Sequence, residues 1–305
     1  MLRPLDVDDD RMLERVHGVL AACHEEASPR VPFQTEAETI GYLRFPVSLR
    51  RPMVLVDADV DGVARLGLAA ASGWLTLAVR PGARGRGLGG ALFAAIRECA
   101  RAQGCTSLAG RYAGPEGAAF ARRVGALDTR VDVTSLLELA AASIPPRSEA
   151  VELRSWVGPA PDELIPSYVV ARNVINDAPA SNDDEVYVYG VEDVRAFERA
   201  CEARGRELRV TVALERGRVV SFTELRWTPG VSHASTEDTA TLASHRGRGL
   251  ASAVKAESLR RLAADHPEVT LVTTTNAAEN RAILSVNRRL GFREAARATT
   301  ASLSL

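Results

Sequence analysis

The chain has 305 residues, about twice the usual length of one domain, so two domains are expected. Its 38 basic and 39 acidic residues leave a net charge of −1, which excludes global attraction to nucleic acid or an anionic membrane. No apolar run has the length of a membrane span, and no secretory leader opens the sequence. The four scattered cysteines show no metal-ligand spacing. We therefore predict a cytoplasmic protein without a metal, with neither nucleic acid nor membrane as partner.

The first half predicts a strand, two helices, three strands, a glycine-rich turn and a long helix, then a strand and a weaker helix. In chain order these are the strand 2–7, the helices 12–20 and 36–43, the strands 53–60, 65–71 and 74–79, the helix 89–102, the strand 107–109 and the helix 116–124. The acidic residues 8–10 are candidate N-caps of the first helix. An Asp61-Gly62 turn is expected to join the first two strands of the meander.

The second half repeats this order of elements. It predicts the strand 151–156, the helices 162–176 and 191–204, the strands 208–215, 219–227 and 237–242, the helix 250–264, the strand 269–274 and the helix 279–290. A repeat of about 150 residues is too long for a solenoid unit and indicates duplicated domains. We place the domains at 1–142 and 150–305, with a Pro-rich linker at 143–149.

Both halves contain the same glycine-rich turn between an apolar strand and a helix. The two turns read Arg84-Gly85-Arg86-Gly87-Leu88-Gly89 and Arg246-Gly247-Arg248-Gly249-Leu250-Ala251. Glycine lets the backbone approach a ligand closely, and the helix that follows begins with unpaired N–H groups and a positive dipole end. This combination favours a phosphate, to which arginine adds charge. Each half is therefore predicted to bind a diphosphate.

A dinucleotide-binding fold is the alternative for the first turn, because Gly85, Gly87 and Gly90 formally match its fingerprint. About 20 residues further along, however, the chain lacks the acid that would hold a ribose. Ser252 breaks the fingerprint in the second copy. The strand pair before each turn also predicts an antiparallel meander, which a βαβ unit does not have. These differences disfavour nicotinamide binding.

On these residues the sequence resembles the GNAT (GCN5-related N-acetyltransferase) superfamily, whose acyl-CoA loop follows Q/R-x-x-G-x-G/A. The second half is similar to the C-terminal half of actinobacterial tandem GNAT proteins. The resemblance implies a mixed α/β fold of two tandem domains, each a twisted mixed sheet with splayed central strands and flanking helices. The motifs that carry it are Asn176-Asp177-Ala178-Pro179, Asp238-Thr239, His245-Arg246-Gly247-Arg248, Lys255, Thr275-Asn276, Asn280 and Asn287-x-x-Leu290-Gly291-Phe292.

The resemblance further implies that acetyl-CoA is the co-substrate, that a small-molecule amine is the acceptor and that no metal takes part. It leaves a homodimer open. The strand before each loop would pair with pantetheine, and Asn276 and Asn280 in the second half would contact the same arm or, alternatively, cap the helix that follows. The implied cofactor-binding residues are Leu77, Ala78, Val79, Arg84, Gly85, Arg86, Gly87, Leu88, Gly89, Ala240, Thr241, Leu242, Arg246, Gly247, Arg248, Gly249, Leu250, Ala251, Asn276, Asn280 and Asn287.

Acetyl transfer to an amine needs a base, which in this superfamily often lies on the strand before the loop. Glu237 and Asp238 occupy that strand and are the candidate catalytic residues. Because side chains alternate along a strand, only one of them is expected to face the acceptor. At the position of Asn287 the superfamily often has a tyrosine that acts as the general acid. Asn cannot take that role, so the general acid is unassigned.

The corresponding strand of the first half, residues 73–79, has no ionisable side chain. We therefore predict an N-acetyltransferase whose C-terminal domain is catalytic, while its N-terminal domain binds acyl-CoA or is degenerate. Acids from Glu25, Glu36 or Tyr112 are the remaining candidates for the first cleft. The alternatives are a non-catalytic acyl-CoA-binding module and an acyltransferase that uses a longer acyl group.

Overall fold

A computed structural model of the chain describes residues 1–46, 52–69, 71–146, 151–177 and 188–305. The chain forms two compact units, of which the first is made of two separate segments of sequence and the second of one. The first unit comprises Met1–Val131 with Arg297–Leu305, and the second comprises Asp132–Ala296. The domain boundaries expected at 142 and 150 stay a prediction about where the repeats meet, and part of the linker, 147–150, lies outside the described residues.

Up to residue 138 the elements are β1 (Leu2–Pro4), α1 (Asp10–Ala27), α2 (Glu36–Arg44), β2 (Met53–Asp57), β3 (Gly62–Ala69), β4 (Ser72–Val79), α3 (Leu88–Ala102), β5 (Ser107–Tyr112), α4 (Gly114–Val124) and β6 (Leu127–Glu138). From residue 152 they are β7 (Glu152–Val157), α5 (Ile165–Asn173), α6 (Val191–Ala203), β8 (Glu207–Glu215), β9 (Arg218–Trp227), β10 (His233–Thr241), α7 (Leu250–Asp265), β11 (Leu271–Ala277), α8 (Arg281–Arg289) and β12 (Arg293–Ser304).

The strands of the first unit follow the order β1-β2-β3-β4-β5-β12, and among the described residues β4 and β5 are its one parallel pair. Its last strand is supplied by the end of the chain, where Thr299–Ser304 pair with β5. The helices α1 and α2 contribute residues such as Leu13 and Val16 to one buried cluster of this unit, and α3 contributes Leu92 and Ile96 to another.

The second unit repeats the arrangement in the order β6-β11-β10-β9-β8-β7, and here only β10 and β11 are parallel. Its outer strand comes from the first half of the chain, where Asp132–Glu138 pair with β11. The helices α5 and α6 pack around Tyr168 and Phe222, while α7 and α8 cover a separate cluster around Leu259. The mixed strand arrangement with flanking helices, repeated in both units, confirms the predicted fold class.

Local sequence explains several of the element boundaries. Asp9 caps α1 by accepting from the Met12 amide at 3.1 Å, as the acidic run predicts. The two strands predicted at 208–215 and 219–227 are joined by a tight turn at Arg216 and Gly217, whose φ angles are 51° and 72°. Among the described residues, no helix is long and apolar enough to cross a membrane.

Several sequence expectations differ from the structure, and strand β6 has no counterpart among the predicted elements. Gly62 is already the first residue of β3, because the Asp57 carboxylate accepts from the amides of Asp61 and Gly62 and closes the turn earlier. A Cβ at Gly62 would lie 2.7 Å from Leu92, which explains the glycine. Strand β12 was not predicted at all, because its polar and alanine-rich sequence has no alternation of β-branched residues.

Candidate active site

The two glycine-rich loops have the same backbone conformation. Gly85 and Gly87 have φ angles of +78° and +83°, and Gly247 and Gly249 both have +77°. These left-handed angles favour glycine over any residue with a Cβ. Each second glycine is the N-cap of the next helix and offers no side chain to it. The first-turn amides of α3 and α7 are therefore presented in the geometry that suits a phosphate.

An arginine ties each loop to the strand before it. Arg84 donates its Nε to the carbonyl of Val79 at 3.1 Å, and Arg246 donates its Nε to the carbonyl of Thr241 at 3.3 Å. Both carbonyls lie five residues before the arginine. This shared contact shows that the repeat extends to side-chain detail.

The parallel strands diverge directly beside each loop. The pairing of β4 with β5 stops at Leu75 and Gly110, although both strands continue. The pairing of β10 with β11 stops at Thr236 and Thr274 in the same way. The implied splay of the central strands is therefore present in both units, and it leaves strand-edge groups open to a ligand.

In the first unit the splay opens into a cavity of about 650 Å³. Eight of the predicted cofactor residues line it, namely Leu77, Ala78, Val79, Arg84, Gly85, Gly87, Leu88 and Gly89. Arg86 is not among the lining residues, and its Nη2 lies 3.4 Å from the Gly82 carbonyl. Tyr112 also lines the cavity and donates to Asp128 at 2.8 Å. Glu26 lines it in place of the suggested Glu25 and Glu36, and binds Arg84 at 2.6 Å.

In the second unit, β10 contains a β-bulge at its candidate catalytic residues. Thr236 pairs with Leu225 and Thr239 pairs with Thr223, so Glu237 and Asp238 together stand opposite the single residue Glu224. The regular alternation on which the sequence analysis relied is therefore broken at this position. The expectation that the two carboxylates point to opposite faces is wrong.

Two arginines hold the bulge carboxylates toward the same group of helices. Glu237 forms an ion pair with Arg226, and Asp238 lies 3.5 Å from Arg172. The guanidinium carbons of Arg172 and Arg226 lie 4.9 and 5.9 Å from the ring centre of Phe197 on α6. Both carboxylates consequently lie on the side of the sheet that α6 covers.

Comparison with known proteins agrees with this architecture. A family model described as "Acetyltransferase (GNAT) family" matches residues 15–125 and 177–292. The chain belongs to the GNAT acetyltransferase family. It is an acyltransferase, and the tandem GNAT organisation and α/β fold expected from the sequence are confirmed.

Several solved structures are similar to this fold. A tandem GNAT protein from the clavulanic acid biosynthesis pathway is 28% identical, with a TM-score of 0.82 over 100% of this chain and 98% of that one. A GCN5-related N-acetyltransferase from Sphaerobacter thermophilus is 18% identical, with a TM-score of 0.74 over 100% and 95%. A fungal glucosamine N-acetyltransferase region of a multi-domain β-N-acetylglucosaminidase is 16% identical, with a TM-score of 0.70 over 99% and 38%. No curated protein sequence matches the chain significantly.

In this GNAT fold, the side chains beneath the bulge form a buried charged cluster. Glu224 is fully buried, accepts a short hydrogen bond from the Tyr168 hydroxyl and lies 3.3 Å from Arg172. Burial raises the pKa of Glu224 to about 7, and Arg172 and Tyr168 oppose that rise. Neither Glu224 nor Arg172 is among the site residues predicted from the sequence. The available signal was a charged residue within an otherwise apolar strand or helix.

Asp238 is the more open of the two bulge carboxylates. Its side chain is 42% exposed, against 26% for Glu237, which also accepts from the Ser235 hydroxyl at 2.5 Å. Desolvation by the surrounding protein raises the pKa of Asp238, while Arg172 lowers it. A half-open carboxylate with raised proton affinity is the kind of group that can take a proton from a substrate.

The three asparagines implied for cofactor binding have different positions. Asn276 accepts from the Asn287 amide at 2.8 Å, so the structure brings these two together. Asn287 is buried, which leaves Asn276 on the splayed strand as the more accessible of the pair. Asn280 caps α8 by accepting from the Ile283 amide at 3.3 Å. Of the Asn176-Asp177-Ala178-Pro179 motif, Ala178 and Pro179 lie outside the described residues.

Proposed function

We propose that this GNAT protein is an acetyl-CoA-dependent N-acetyltransferase that transfers acetyl directly to a primary amine of a small molecule, and that catalysis occurs in the second unit. The observation that carries the proposal is the bulge of β10. It presents Asp238, half-exposed and loosely held at 3.5 Å from Arg172, where β10 separates from β11. That position combines a proton acceptor with an open strand edge a few residues before a phosphate loop.

The binding roles follow from the shared loop geometry. The amides of residues 246–251 and the start of α7 would hold the pyrophosphate of acetyl-CoA, and the β10 edge at residues 240–242 would pair with pantetheine. The amide of Leu242 already donates to Val220 at 2.9 Å, so the contacts fall to neighbouring groups on the strand. A strand amide aimed at the thioester oxygen would stabilise the charge that develops on it.

Asp238 would act as the general base, directly or through a water molecule. It removes a proton from the ammonium of the acceptor, and the free amine then attacks the thioester carbonyl. The C–S bond breaks and coenzyme A leaves as the thiolate, while the nitrogen loses its second proton through solvent, which in turn protonates the thiolate, so that the products are the neutral amide and the free thiol. Glu237 would remain bound to Arg226 and keep the bulge in place.

For the first unit we propose binding of acyl-CoA without catalysis. Its loop and cavity match the requirements of the ligand, but β4 carries no ionisable side chain. A wholly non-catalytic module and the use of a longer acyl group are the alternatives to transfer in the second unit. We also propose that the protein acts in the cytoplasm, in keeping with its four free cysteines.

The test combines binding and turnover in the full chain. Thermal unfolding with and without acetyl-CoA reports binding, and thiol release against a panel of simple primary amines reports transfer. Acetyl-CoA protection together with amine-dependent thiol release supports the enzyme. Protection without release from any amine, and without N-acetyl product by mass spectrometry, would support the binding module instead.

A further inference from the structure

Glu224 is a buried acid for which the proposed chemistry has no direct use. It lies on β9 opposite the bulge and has no exposed surface. Its Oε1 accepts from Tyr168, whereas its Oε2 has no hydrogen-bond partner among the described residues. A buried carboxylate oxygen without a partner is costly when charged, so a proton on Oε2 is the natural way to remove that cost.

Arg172 is the cation that Glu224 and Asp238 share. Its Nη1 lies 3.3 Å from Glu224 and its Nη2 lies 3.5 Å from Asp238. The ring centres of Tyr189 and Phe197 lie 5.0 and 4.9 Å from its guanidinium carbon, so aromatic contacts surround it. One guanidinium between two carboxylates must divide its interaction between them.

The other titratable groups facing Glu224 come from each neighbouring element. They are Tyr168 and Arg172 on α5, Glu237 and Asp238 on β10, Arg226 on β9, Cys201 on α6 and Tyr189 before α6. Arg226 already pairs with Glu237. A change in the charge of Glu224 therefore acts mainly on Arg172 and, through Arg172, on Asp238.

We propose that Glu224 is a positioning residue that sets the proton affinity of Asp238 through the shared Arg172. When Glu224 is ionised, its negative charge attracts the Arg172 guanidinium and also repels the negative charge of Asp238. Asp238 then binds protons more readily and is a stronger base. When Glu224 is protonated, Arg172 forms an ion pair with Asp238 alone and lowers the proton affinity of Asp238. The inference rests on the proposed function for the role of Asp238, but the coupling itself does not require any activity.

The direction of the pH effect follows from the same contacts. Because burial raises the pKa of Glu224 to about 7, its ionisation occurs as the pH rises through neutrality. The base strength of Asp238 should therefore increase over that interval. Turnover should gain roughly threefold to tenfold across it, beyond the gain due to deprotonation of the amine.

The coupling can be measured by carboxyl ¹³C NMR of full-length protein labelled at the aspartate γ-carbon, with Asp238→Asn to identify the resonance. We expect the wild-type Asp238 signal to show a second inflection near pH 7, when Glu224 titrates. Glu224→Gln should remove that inflection, because Gln stays neutral where Glu224 ionises. Tyr168→Phe, which removes a hydrogen bond to the ionised form of Glu224, should move the inflection to higher pH.

The outcomes separate this inference from the proposed function. A wild-type Asp238 signal with no inflection near neutrality overturns the coupling, and this requires no variant to fold. A near-neutral inflection of the Asp238 signal that persists in folded Glu224→Gln overturns it as well. If the coupling is present while Asp238→Asn retains full thiol release with the same amine, the positioning role fails because the assignment of the base is wrong.

Discussion

The strand before the phosphate loop is regular in the first unit and bulged in the second. In the first, β4 pairs with β3 residue for residue from Val79↔Gly62 to Ser72↔Ala69. In the second, β10 follows β9 in the same way from Thr241 to Thr239, and then two residues stand opposite Glu224. The corresponding pair in the first unit is Thr76 with Arg65. One inserted residue therefore distinguishes the two strands, at a point where the ladders otherwise agree.

This difference suggests how binding and chemistry are divided within a repeated fold. The loops share their left-handed glycines, their tethering arginines and the neighbouring splay, all of which concern the nucleotide end of the ligand. The acids are confined to the bulged strand. A copy of this fold can consequently keep its ligand site while the residues for proton transfer are present or absent.

The largest effect is expected for Asp238→Asn. Loss of the proposed base should reduce amine-dependent thiol release about 100-fold to 1,000-fold, because a positioned base contributes roughly that much. Acetyl-CoA protection against thermal unfolding should be unchanged, since the loop is not altered. Thr76→Asn is the matched control in the first unit, and an equal loss there would remove the distinction between the two strands.

Charge reversal in the loops should show which unit supplies the working ligand site. Arg246→Glu is expected to weaken acetyl-CoA binding about tenfold to 100-fold at the second unit and to reduce transfer at subsaturating acetyl-CoA. Arg84→Glu should weaken binding at the first unit and leave transfer intact. Isothermal calorimetry of both variants measures binding, and thiol release measures transfer. Loss of transfer in Arg84→Glu but not in Arg246→Glu would reverse our assignment of the units.

The helices behind the loops differ at one buried position, which predicts a change in stability. Aligned on the loops, Lys255 of α7 corresponds to Phe93 of α3, and both are buried. Burial lowers the pKa of Lys255 to about 7, so the folded state binds fewer protons than the unfolded state between pH 7 and the ordinary lysine range. Stability from this group therefore rises with pH across that window.

Lys255→Met should increase the free energy of unfolding by about 2 kcal/mol or more at pH 7, and the gain should shrink toward pH 10. Thermal unfolding at both pH values measures the difference. Phe93→Lys makes the converse exchange in the first unit and should destabilise the protein at pH 7. A gain for Lys255→Met that does not depend on pH would show that packing, and not charge, is responsible.

The smallest effect is expected for Glu237→Gln. Gln keeps the shape and can still accept from Ser235, but it loses the charge that pairs with Arg226. Turnover should fall only about threefold to tenfold, because the bulge is disturbed and the base is retained. The turnover rates of this variant and of Asp238→Asn, measured with the same amine, show which substitution costs more. A larger loss of turnover for Glu237→Gln would identify Glu237 as the base.

The parts of the fold that could be predicted from sequence are those with local causes. The glycine loops, the Arg216-Gly217 hairpin and the helix caps depend on residues close in the chain. The bulge does not, because nothing local to Glu237 and Asp238 reveals that two residues face one partner. The buried Arg172 bridge is likewise set by packing between α5 and β9. Strand β12 depends on its pairing with β5 rather than on its own weak pattern.

The exchange of strands 132–138 and 299–304 has a consequence for biosynthesis. Residues 1–131 are synthesised long before residues 299–304, which pair with β5. Until then the β5 edge of the nascent first unit is unpaired. Such edges recruit other extended chains. Completion of the first unit is thereby deferred until the second has been made, and a fragment ending near residue 142 would be expected to aggregate rather than to fold.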